Sequence, residues 1–308
     1  MCKSLNMNTI PSSFNRYNET EIKFQAITLS EKRKWICNTK VPFNISAETI
    51  LNEINSQMTN SDLLFDGCSD ENKNYLHLLG YKSILFGKEA IIDLSKNPFE
   101  KKSLSELVKR GSRHGKFEEV IYSDHTNKKL QDFITKTSHG TKPQLKNLFA
   151  VTFQSHHRLF VLQKNGDWIC AIMLSYKSKK NVQTELILRF AEAPIGVMEK
   201  LICEIFIQLK NEGIKYWSLG AVPFVDFDSK LFSLSWFINF TGRRIKFAYN
   251  YKGLFNFKNK FNPIWEPYYI CYKNKLKIMQ IFKLAQKSNL NKLIIYNIFS
   301  KLHLDYGR

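Results

Sequence analysis

The sequence predicts a mixed α/β (α+β) fold made of two units of similar plan in tandem, with mixed, mostly antiparallel sheets flanked by helices. The chain has 308 residues and 44% hydrophobic content, which is enough for two domains of ordinary size. Short apolar runs bounded by turn residues alternate with amphipathic stretches, as strands and helices do. This order occurs twice, and a basic helix is predicted to follow at the C-terminus.

Composition and pattern divide the chain into four predicted parts. The first is rich in Asn, Ser and Thr and is therefore expected to be loose. The last has apolar residues at helical spacing among lysines, a pattern of helices that lie on anionic membranes or pack on their own domain. The parts are a loose N-terminal leader over residues 1–21, a first unit over 22–124, a second unit over 125–273 that carries most of the active site, and a basic helical extension over 274–308.

The first unit is predicted to run strand, helix, strand. Ser46 is expected to cap the helix, with strands on either side over 34–43 and around 63–65. The pair Gly87-Lys88 between two apolar runs is a hairpin signal. A basic segment with leucines at helical spacing follows, and its cations are predicted to bind phosphate. These are Lys101, Lys102, Lys109 and Arg110.

The second unit is predicted to begin with a helix and continue as antiparallel strands, a helix and a strand. The turn Asn165-Gly166-Asp167 joins two of the strands as a hairpin, and an amphipathic helix is predicted from about Gly196 to Lys210. This order is that of an acyltransferase half of the GNAT type, although periodicity alone leaves several α+β folds open. The chain contains no alternating βαβα series with a G-x-G-x-x-G or Walker loop, so a Rossmann or P-loop protein is not indicated.

The charge of the chain favours an anionic partner. Forty-six Lys and Arg against 27 Asp and Glu give a formal net charge of +19. Such a charge favours RNA, DNA or an anionic membrane surface, without deciding among them. A codon bias toward Lys, Asn, Ile and Phe is the alternative explanation, but it accounts for the lysines better than for the shortage of acids.

The cysteines and the apolar runs limit the cellular context. Six cysteines lie apart from one another without a CxxC pair, so neither a zinc site nor a disulfide framework is indicated, and a reducing compartment is expected. The N-terminus lacks the apolar core of a signal peptide, and no apolar run approaches the roughly 20 residues of a spanning helix. A cytoplasmic protein, peripheral at the inner face of the membrane, is therefore expected.

The segment from Asn250 to Pro267 is the most informative stretch for function. Lysines, aromatics and one carboxylate alternate in it, and Gly253, Pro263 and Pro267 argue against a regular helix or core strand. We therefore expect a turn-rich loop that binds something anionic. A solvated basic loop whose aromatic side chains cover the core is the alternative.

Several motifs in order resemble the soluble C-terminal domain of bacterial phosphatidylglycerol lysyltransferases, the GNAT-like DUF2156 family of aminoacyl-phosphatidylglycerol synthases. The resemblance covers about 63–272. Each motif is weak alone, but the ordered set is fairly specific. The motifs are the stretch from Asn250 to Pro267, Leu219-Gly220-Ala221-Val222-Pro223-Phe224, the run from Gly87 to Leu94, the basic helix from Lys101 to Arg110, and Leu188-Arg189 followed by the run from Glu192 to Met198.

The resemblance implies two tandem GNAT-like domains that move an amino acid, such as lysine, from aminoacyl-tRNA to phosphatidylglycerol or a related hydroxyl acceptor. Aminoacyl-tRNA would be a co-substrate, and no cofactor or metal is expected because one ester replaces another. Family members commonly carry a transmembrane flippase module. No such module occurs in this sequence, so a stand-alone transferase that reaches its lipid from the water side is expected.

The sequence departs from the family pattern around the expected substrate sites. Glu192 stands where the family usually has Asp, Ile195 where it has Asn, and Tyr268 where it has Arg. Phe255 and Asn256 replace the basic residue that commonly follows the Gly-Leu pair. These departures bear on the acceptor and the amino acid more than on the fold.

The predicted catalytic residues are Glu266, Lys258 and Arg189. Glu266 lies between Trp265 and Pro267, an apolar setting that would raise its pKa toward that of a general base, or let it bind the donor's ammonium. Lys258 suits phosphate binding, and Arg189 precedes a helix N-terminus where an oxyanion could bind. The alternatives are surface solubility for Lys258, a salt-bridged strand position for Arg189 and a structural turn role for Glu266. Substrate binding is predicted for Lys260, Glu192, Gly196, Gly220, Pro223, Tyr249, Lys252, Gly253 and Trp265.

Two other functions remain open from the sequence. An acyl-CoA N-acyltransferase of the GNAT type would normally have a glycine-rich pyrophosphate loop, whereas 189–196 contains one glycine and one proline. A non-catalytic RNA- or membrane-binding module would need only the positive charge. The adjacent His156 and His157 are left out of the site, because neighbours on a strand point to opposite faces.

Overall fold

The computed structural model describes residues 9–137, 140, 142–223, 225 and 251–305. These residues form a mixed α/β fold. The strands are β1 (Phe14–Tyr17), β2 (Lys23–Thr28), β3 (Arg33–Pro42), β4 (Asp62–Cys68), β5 (Tyr81–Asp93), β6 (Lys116–Val120), β7 (Arg158–Lys164), β8 (Asp167–Ser178), β9 (Asn181–Arg189), β10 (Tyr216–Pro223) and β11 (Ile264–Lys273).

The described helices flank this sheet, and several of them begin at a polar cap. Ser46, Ser69 and Ser123 each accept a backbone N–H of the first turn, which satisfies a donor that the helix itself leaves free. The helices are α1 (Ala47–Gln57), α2 (Asp70–Leu78), α3 (Lys102–Gly111), α4 (Asp124–Thr135), α5 (Val197–Asn211), α6 (Tyr251–Asn259), α7 (Ile278–Lys287) and α8 (Leu290–Asp305), with a 3₁₀ turn at Pro98–Glu100 before α3.

One sheet contains the strands of both predicted units. Its order is β1-β3-β4-β11-β5-β10-β9-β8-β7-β6, with β2 paired to β3 and a bridge from Arg16 of β1 to Tyr176 of β8. Parallel pairs join β1 to β3, β3 to β4 and β9 to β10, and the other pairings are antiparallel. Strand β11, from the C-terminal part of the chain, lies between β4 and β5 of the first unit.

The largest apolar core lies between α5 and the sheet. Leu201, Ile202 and Ile205 of α5 are fully buried against Phe160, Ile172 and other side chains of β7 and β8. The hydrophobic spacing of α5 produces this burial, because residues three and four apart share one helix face. The same core reaches Trp217 of β10, and so fixes the strand beside which the functional site lies.

Two elements of the sequence prediction are wrong, one in the leader and one in the first unit. Residues 9–21 are not a loose leader, because Phe14–Tyr17 form β1 and the Ile10 and Phe14 side chains are buried. Gly87 does not turn a hairpin, because β5 is one continuous strand. A Cβ atom on Gly87 would collide with the backbone of Val222 and Pro223, so the glycine permits close approach of β10 instead.

The segment expected to be turn-rich contains a helix and the start of a strand. Tyr251–Asn259 form α6 despite Gly253, and Pro267 lies within β11. Apolar burial of one helix face stabilises α6 against its glycine, since Phe257 and nearby Phe261 pack on the core of α5. The basic C-terminal stretch is helical, as predicted, but Ser288 and Asn289 divide it into α7 and α8.

Candidate active site

The two central parallel strands separate at a bulge in β10. Tyr216 to Ser218 pair with Asn181 to Gln183, and beyond them β9 continues to Arg189 beside β8 alone. The register of β10 against β5 shifts between Ser218 and Ala221, and Gly220 there has φ of +85°. Glycine takes this left-handed conformation without steric cost, so Gly220 shapes the opening between the strands.

Lys258 closes one side of this opening. Its side chain extends from α6, is 3% exposed, and donates from Nζ to the carbonyl oxygens of Gly220 at 2.9 Å and Ala221 at 3.1 Å. Burial lowers the pKa of Lys258 to about 7, although the charge of Glu89 acts in the opposite direction. The amine therefore fixes the bulge, and it changes charge near neutral pH.

Two carboxylates lie next to each other on β5 and β11. Glu266 is paired directly opposite Glu89, and such cross-strand partners lie on one face of a sheet. Ser218 Oγ donates to Glu89 at 2.5 Å and Ser12 Oγ at 3.2 Å. Desolvation, followed by the charge of Glu89, raises the pKa of the Glu266 carboxyl, although the residue is exposed. The pKa of Glu266 is therefore raised, as the sequence predicted. The neighbouring carboxylate of Glu89 contributes to this rise in addition to burial.

A second group of polar side chains lies in the interior near Glu89, since the charges of both Asp66 and Glu89 act on Tyr268. Asp66 Oδ1 accepts from Trp35 Nε1 at 2.8 Å, and Tyr268 OH donates to Oδ2 at 3.5 Å. Burial raises the pKa of Asp66 to about 6 and lowers the pKa of Lys177 to about 8. Lys177 Nζ donates to the carbonyl oxygens of Pro11 and Phe14, and so ties the N-terminal segment to β8.

The sequence pattern assigned no role to these interior groups. Asp66 directly follows the apolar run Leu63-Leu64-Phe65. A carboxylate next to such a run is the one signal in the sequence that indicates a buried acid, which requires hydrogen-bond partners. Glu89 lies in one of the family motifs, but its position opposite Glu266 depends on a pairing across much of the chain. Tyr268, which stands in place of the family's arginine, provides the hydroxyl that reaches Asp66.

One predicted phosphate residue and one predicted substrate residue meet at a depression on the surface. Lys101 and Lys260 both line an open polar depression of about 360 Å³, together with Asn97, Asn259 and Asn262. Lys260 also forms an ion pair of 2.8 Å with buried Glu199. The other predicted phosphate ligands, Lys102, Lys109 and Arg110, are exposed along α3.

Arg189, Glu192 and Gly196 occupy the far end of β9 and the turn into α5. Arg189 and Glu192 are exposed. Gly196 has φ of +94°, and a Cβ atom there would collide with the Leu107 carbonyl of α3. Gly196 thus allows α3 and α5 to pack closely, which gives this glycine a structural role beside the predicted binding role.

The remaining predicted site residues surround α6 and the end of β10. Trp265 stacks on Phe255 with ring centroids 4.5 Å apart, and its Nε1 donates to Asn259 Oδ1 at 3.3 Å. Lys252 is exposed on α6, one residue before Gly253, while Pro223 ends β10. The predicted substrate residue Tyr249 lies outside the described residues. His157 is buried and His156 half-buried before β7, and burial lowers the pKa of His156 to about 3 and that of His157 to about 4.

The described ranges contain neither a metal cluster nor a helix suited to a membrane. No group of three or more His, Cys, Asp and Glu side chains in them is arranged to hold a metal ion. None of the helices in those ranges combines the length and apolar character needed to cross a bilayer.

The mixed sheet, in which the parallel strands β9 and β10 separate at a bulge, is a fold of the acyltransferase type. Residues 45–272 of the chain match the family model described as phosphatidylglycerol lysyltransferase, C-terminal. The chain belongs to this family of transferases.

Individual relatives agree with the family match. The phosphatidylglycerol lysyltransferase of Bacillus subtilis is 23% identical over 248 residues, which cover 75% of this chain but 28% of that protein. The chain thus spans about a quarter of the length of that relative. The structure of L-PGS from Bacillus licheniformis matches with a TM-score of 0.66 and 18% identity, covering 87% of this chain and 85% of the other. A C-terminal domain (DUF2156) from Agrobacterium fabrum matches with a TM-score of 0.62, 19% identity and 89% coverage of both chains.

Proposed function

We propose that this chain transfers an aminoacyl group from aminoacyl-tRNA to a hydroxyl group of phosphatidylglycerol or a related anionic lipid. The observation that carries the proposal is the pair Glu89 and Glu266 on β5 and β11, with Glu89 opposite Ala221 of the β10 bulge that Lys258 holds, in a member of this family. The domain organisation expected from the sequence, two GNAT-like units with most of the site in the second, is part of the proposal.

The reaction exchanges one ester for another. The lipid hydroxyl oxygen attacks the ester carbonyl carbon, and its proton passes to Glu266 as the hydroxyl becomes an ester oxygen. The tetrahedral intermediate then breaks its bond to the tRNA ribose oxygen, which takes up the proton from Glu266. A raised pKa suits Glu266 for both transfers, because a general base works best when its pKa is near the working pH.

Lys258 provides positive charge where the carbonyl oxygen becomes negative. In the protonated amine, two N–H groups hold the Gly220 and Ala221 carbonyls, and we assign the third to a substrate oxygen. A fixed cation in a dry site stabilises an oxyanion more strongly than water does, because the protein does not reorganise during the reaction. The exchange of like esters requires neither ATP nor a metal ion.

The two substrates would approach over basic surface. The depression between Lys101 and Lys260 suits the phosphates of the tRNA acceptor end. Lys101 directly precedes α3, whose other cations are also exposed. The C-terminal helix α7 exposes Met279 and Phe282 beside Lys283, a composition suited to the surface of an anionic membrane. We therefore place the protein at the inner face of the cytoplasmic membrane.

The proposal is tested by incubating purified protein with labelled aminoacyl-tRNA and phosphatidylglycerol vesicles and measuring label in the lipid fraction. Label is expected in lipid, and RNase pretreatment should abolish it whereas added CoA should not. Glu266→Gln is expected to lower the rate by about a hundredfold or more, since it removes the proton acceptor. Glu31→Gln, at an exposed turn far along the sequence from the site, is the matched control and should leave the rate unchanged.

Two outcomes would count against this function. Turnover of an acyl-CoA, with no transfer from any charged tRNA, would instead favour a conventional N-acyltransferase. Binding of tRNA and vesicles without transfer of any group would favour a non-catalytic module.

A further inference from the structure

Two aromatic side chains form a stacked pair at the surface beside α6. The ring centroids of Phe255 and Trp265 lie 4.5 Å apart, and the ring planes are inclined by 19°. Trp265 also packs against the apolar core that contains α5. Phe255 is only half-buried and belongs to none of the core clusters formed by the described residues. The stack therefore begins at the core and ends near the surface with the ring of Phe255.

A hydrogen bond fixes the orientation of this aromatic pair. Trp265 Nε1 donates to Asn259 Oδ1 at 3.3 Å, and Asn259 follows Phe255 by about one turn of α6. Trp265 itself lies at the start of β11, paired with Ala90 of β5. Two elements and one hydrogen bond thus hold the rings in place before a ligand binds. Such preorganisation lowers the entropic cost of placing a further flat ring on the stack.

The same asparagine lines the polar depression that contains Lys101 and Lys260, so the aromatic pair and the depression adjoin each other. Lys260 pairs with the buried carboxylate of Glu199, but 44% of its side chain remains exposed. Lys101 is exposed as well. The depression therefore offers two cations and several amide groups, which are suitable partners for phosphate oxygens.

An aromatic face beside a cationic depression suits a ligand that carries a flat base and phosphates. Stacking on an aromatic ring accepts any nucleobase, because every base has a π-face. A patch that inserts into a membrane would be bordered by apolar side chains, whereas Lys252 and Asn256 of the same helix are exposed near Phe255. Phe255 is one of the departures of this chain from the family pattern, so the aromatic pair is a feature of this sequence.

We propose that Phe255 and Trp265 form a stacking platform for one unpaired nucleobase, with the neighbouring phosphates of the ligand in the adjoining depression. Phe255 precedes Lys258 by three residues on α6, so a base on the platform lies near the lysine that holds the bulge at Gly220. Two sources share this chemistry: the single-stranded acceptor end of tRNA, and the adenosine part of a nucleotide such as coenzyme A. For the first source the inference rests on the proposed function.

The direct test is calorimetric titration of the purified chain with the RNA tetranucleotide ACCA and with analogues in which a single base is replaced by hydrogen. At least one of these abasic analogues is expected to bind about fivefold or more weakly than ACCA, because it keeps its phosphates but cannot stack. Equal affinity for ACCA and for all of its abasic analogues would overturn the proposal.

Variants of Phe255 locate the base. Phe255→Leu keeps apolar bulk over Trp265 but removes the flat ring, and should lower the affinity for ACCA about fivefold or more while leaving the affinity for the weakest abasic analogue unchanged. Phe255→Tyr keeps a ring and should bind ACCA as the wild-type chain does. Tyr122→Ala, which removes another exposed aromatic ring before α4, is the matched control and should also bind as wild type.

A variant of the depression separates phosphate binding from stacking. Lys101→Ala should weaken the binding of ACCA and of its abasic analogues by the same factor, because it removes a phosphate contact and leaves the platform intact. If a folded Phe255→Leu protein showed this same uniform loss, the ring would support the local structure without stacking on a base, and the proposal would be overturned.

Titration with coenzyme A distinguishes the two sources. Tighter binding of ACCA than of coenzyme A, dependent on Phe255, identifies the RNA end as the ligand. The reverse order, again dependent on Phe255, supports the platform and contradicts the proposed transferase function. Binding of ACCA that depends on Phe255, without transfer from any charged tRNA, likewise supports the platform and counts against that function. Transfer to lipid without any dependence of RNA binding on the bases overturns the platform alone.

Discussion

Lys258 is a residue whose function depends on its burial more than on its charge. The sequence favoured it as a cation for phosphate, but the structure buries its amine on the Gly220 and Ala221 carbonyls. Its neighbour two positions on, Lys260, has the exposed position suited to phosphate. Sequence patterns predicted a site role for both lysines. They could not separate the two roles, because the difference arises from which face of α6 meets the core.

The lowered pKa of Lys258 predicts a pH dependence of stability. The unfolded lysine has its ordinary pKa of 10.5, whereas burial lowers the folded value to about 7. Between these values the unfolded chain binds a proton that the folded chain does not, so stability should rise with pH from about 7 toward 10.5. The contribution is on the order of 1 kcal/mol per pH unit.

Chemical denaturation at several pH values across the lower part of this window measures the contribution. Lys258→Met should remove that part of the rise, so that its pH profile is flatter than that of the wild-type chain. Lys252→Met, on the exposed side of the same helix, should leave the profile parallel to wild type. Parallel profiles for Lys258→Met would show that the amine keeps its ordinary proton affinity in the folded state.

At the scale of elements, the sequence correctly predicted features that depend only on neighbouring residues, such as caps and tight turns. Ser46 caps α1, and Asn165 and Gly166 turn the hairpin between β7 and β8 with positive φ angles. The prediction was wrong where contacts with a segment distant in sequence determine the local structure. Gly87 lies in a sequence typical of a hairpin, but in the structure it allows β10 to pack closely against β5. Gly253 is tolerated in α6 because the helix packs on the core, and residues near Gly253 in the sequence do not indicate that packing.

The helix α3 is the element with a predicted role in tRNA binding. Replacing Lys101, Lys102, Lys109 and Arg110 by Ala is expected to weaken tRNA binding by at least about tenfold at moderate salt. The slope of log affinity against log salt should become shallower by about 0.7 to 0.9 for each phosphate that the variant no longer neutralises. Filter binding or fluorescence anisotropy across a salt series measures both quantities.

A matched variant separates the effect of α3 from that of net charge. The control removes four exposed lysines distributed over β6, β7 and the turn between β8 and β9. They are Lys116, Lys164, Lys179 and Lys180. This control variant should change the affinity for tRNA much less than the α3 variant does. An equal loss of affinity in both variants would mean that the total positive charge, and not this helix, attracts the tRNA.

At the scale of the whole molecule, the site forms where segments distant in sequence share one sheet. Strand β11 brings Glu266 opposite Glu89 and Tyr268 near Asp66, although well over a hundred residues separate these partners. The family resemblance predicted the chemistry of Glu266. It could not predict the buried Asp66 and Lys177, because polar residues inside strands acquire a role only when the sheet brings them together.

The whole-molecule charge and the outer face of α7 predict how the protein meets its lipid. Met279 and Phe282 are 65% and 51% exposed, while Ile281 and Leu284 of the same helix pack toward the core. Lys283 and Lys287 are exposed beside the apolar pair. An exposed apolar pair flanked by lysines inserts shallowly into an interface, and each lysine adds about 1 kcal/mol of attraction to anionic lipid.

Vesicle flotation or surface plasmon resonance tests this orientation. Met279→Ser combined with Phe282→Ser should lower affinity for phosphatidylglycerol vesicles by about tenfold or more, because neither replaced side chain can then bury apolar surface in the lipid. The matched control, Leu78→Ser with Ile207→Ser, removes similarly exposed apolar side chains from α2 and α5 and should have little effect. If the control weakened vesicle binding as much as the α7 variant, α7 would not be the surface that faces the membrane.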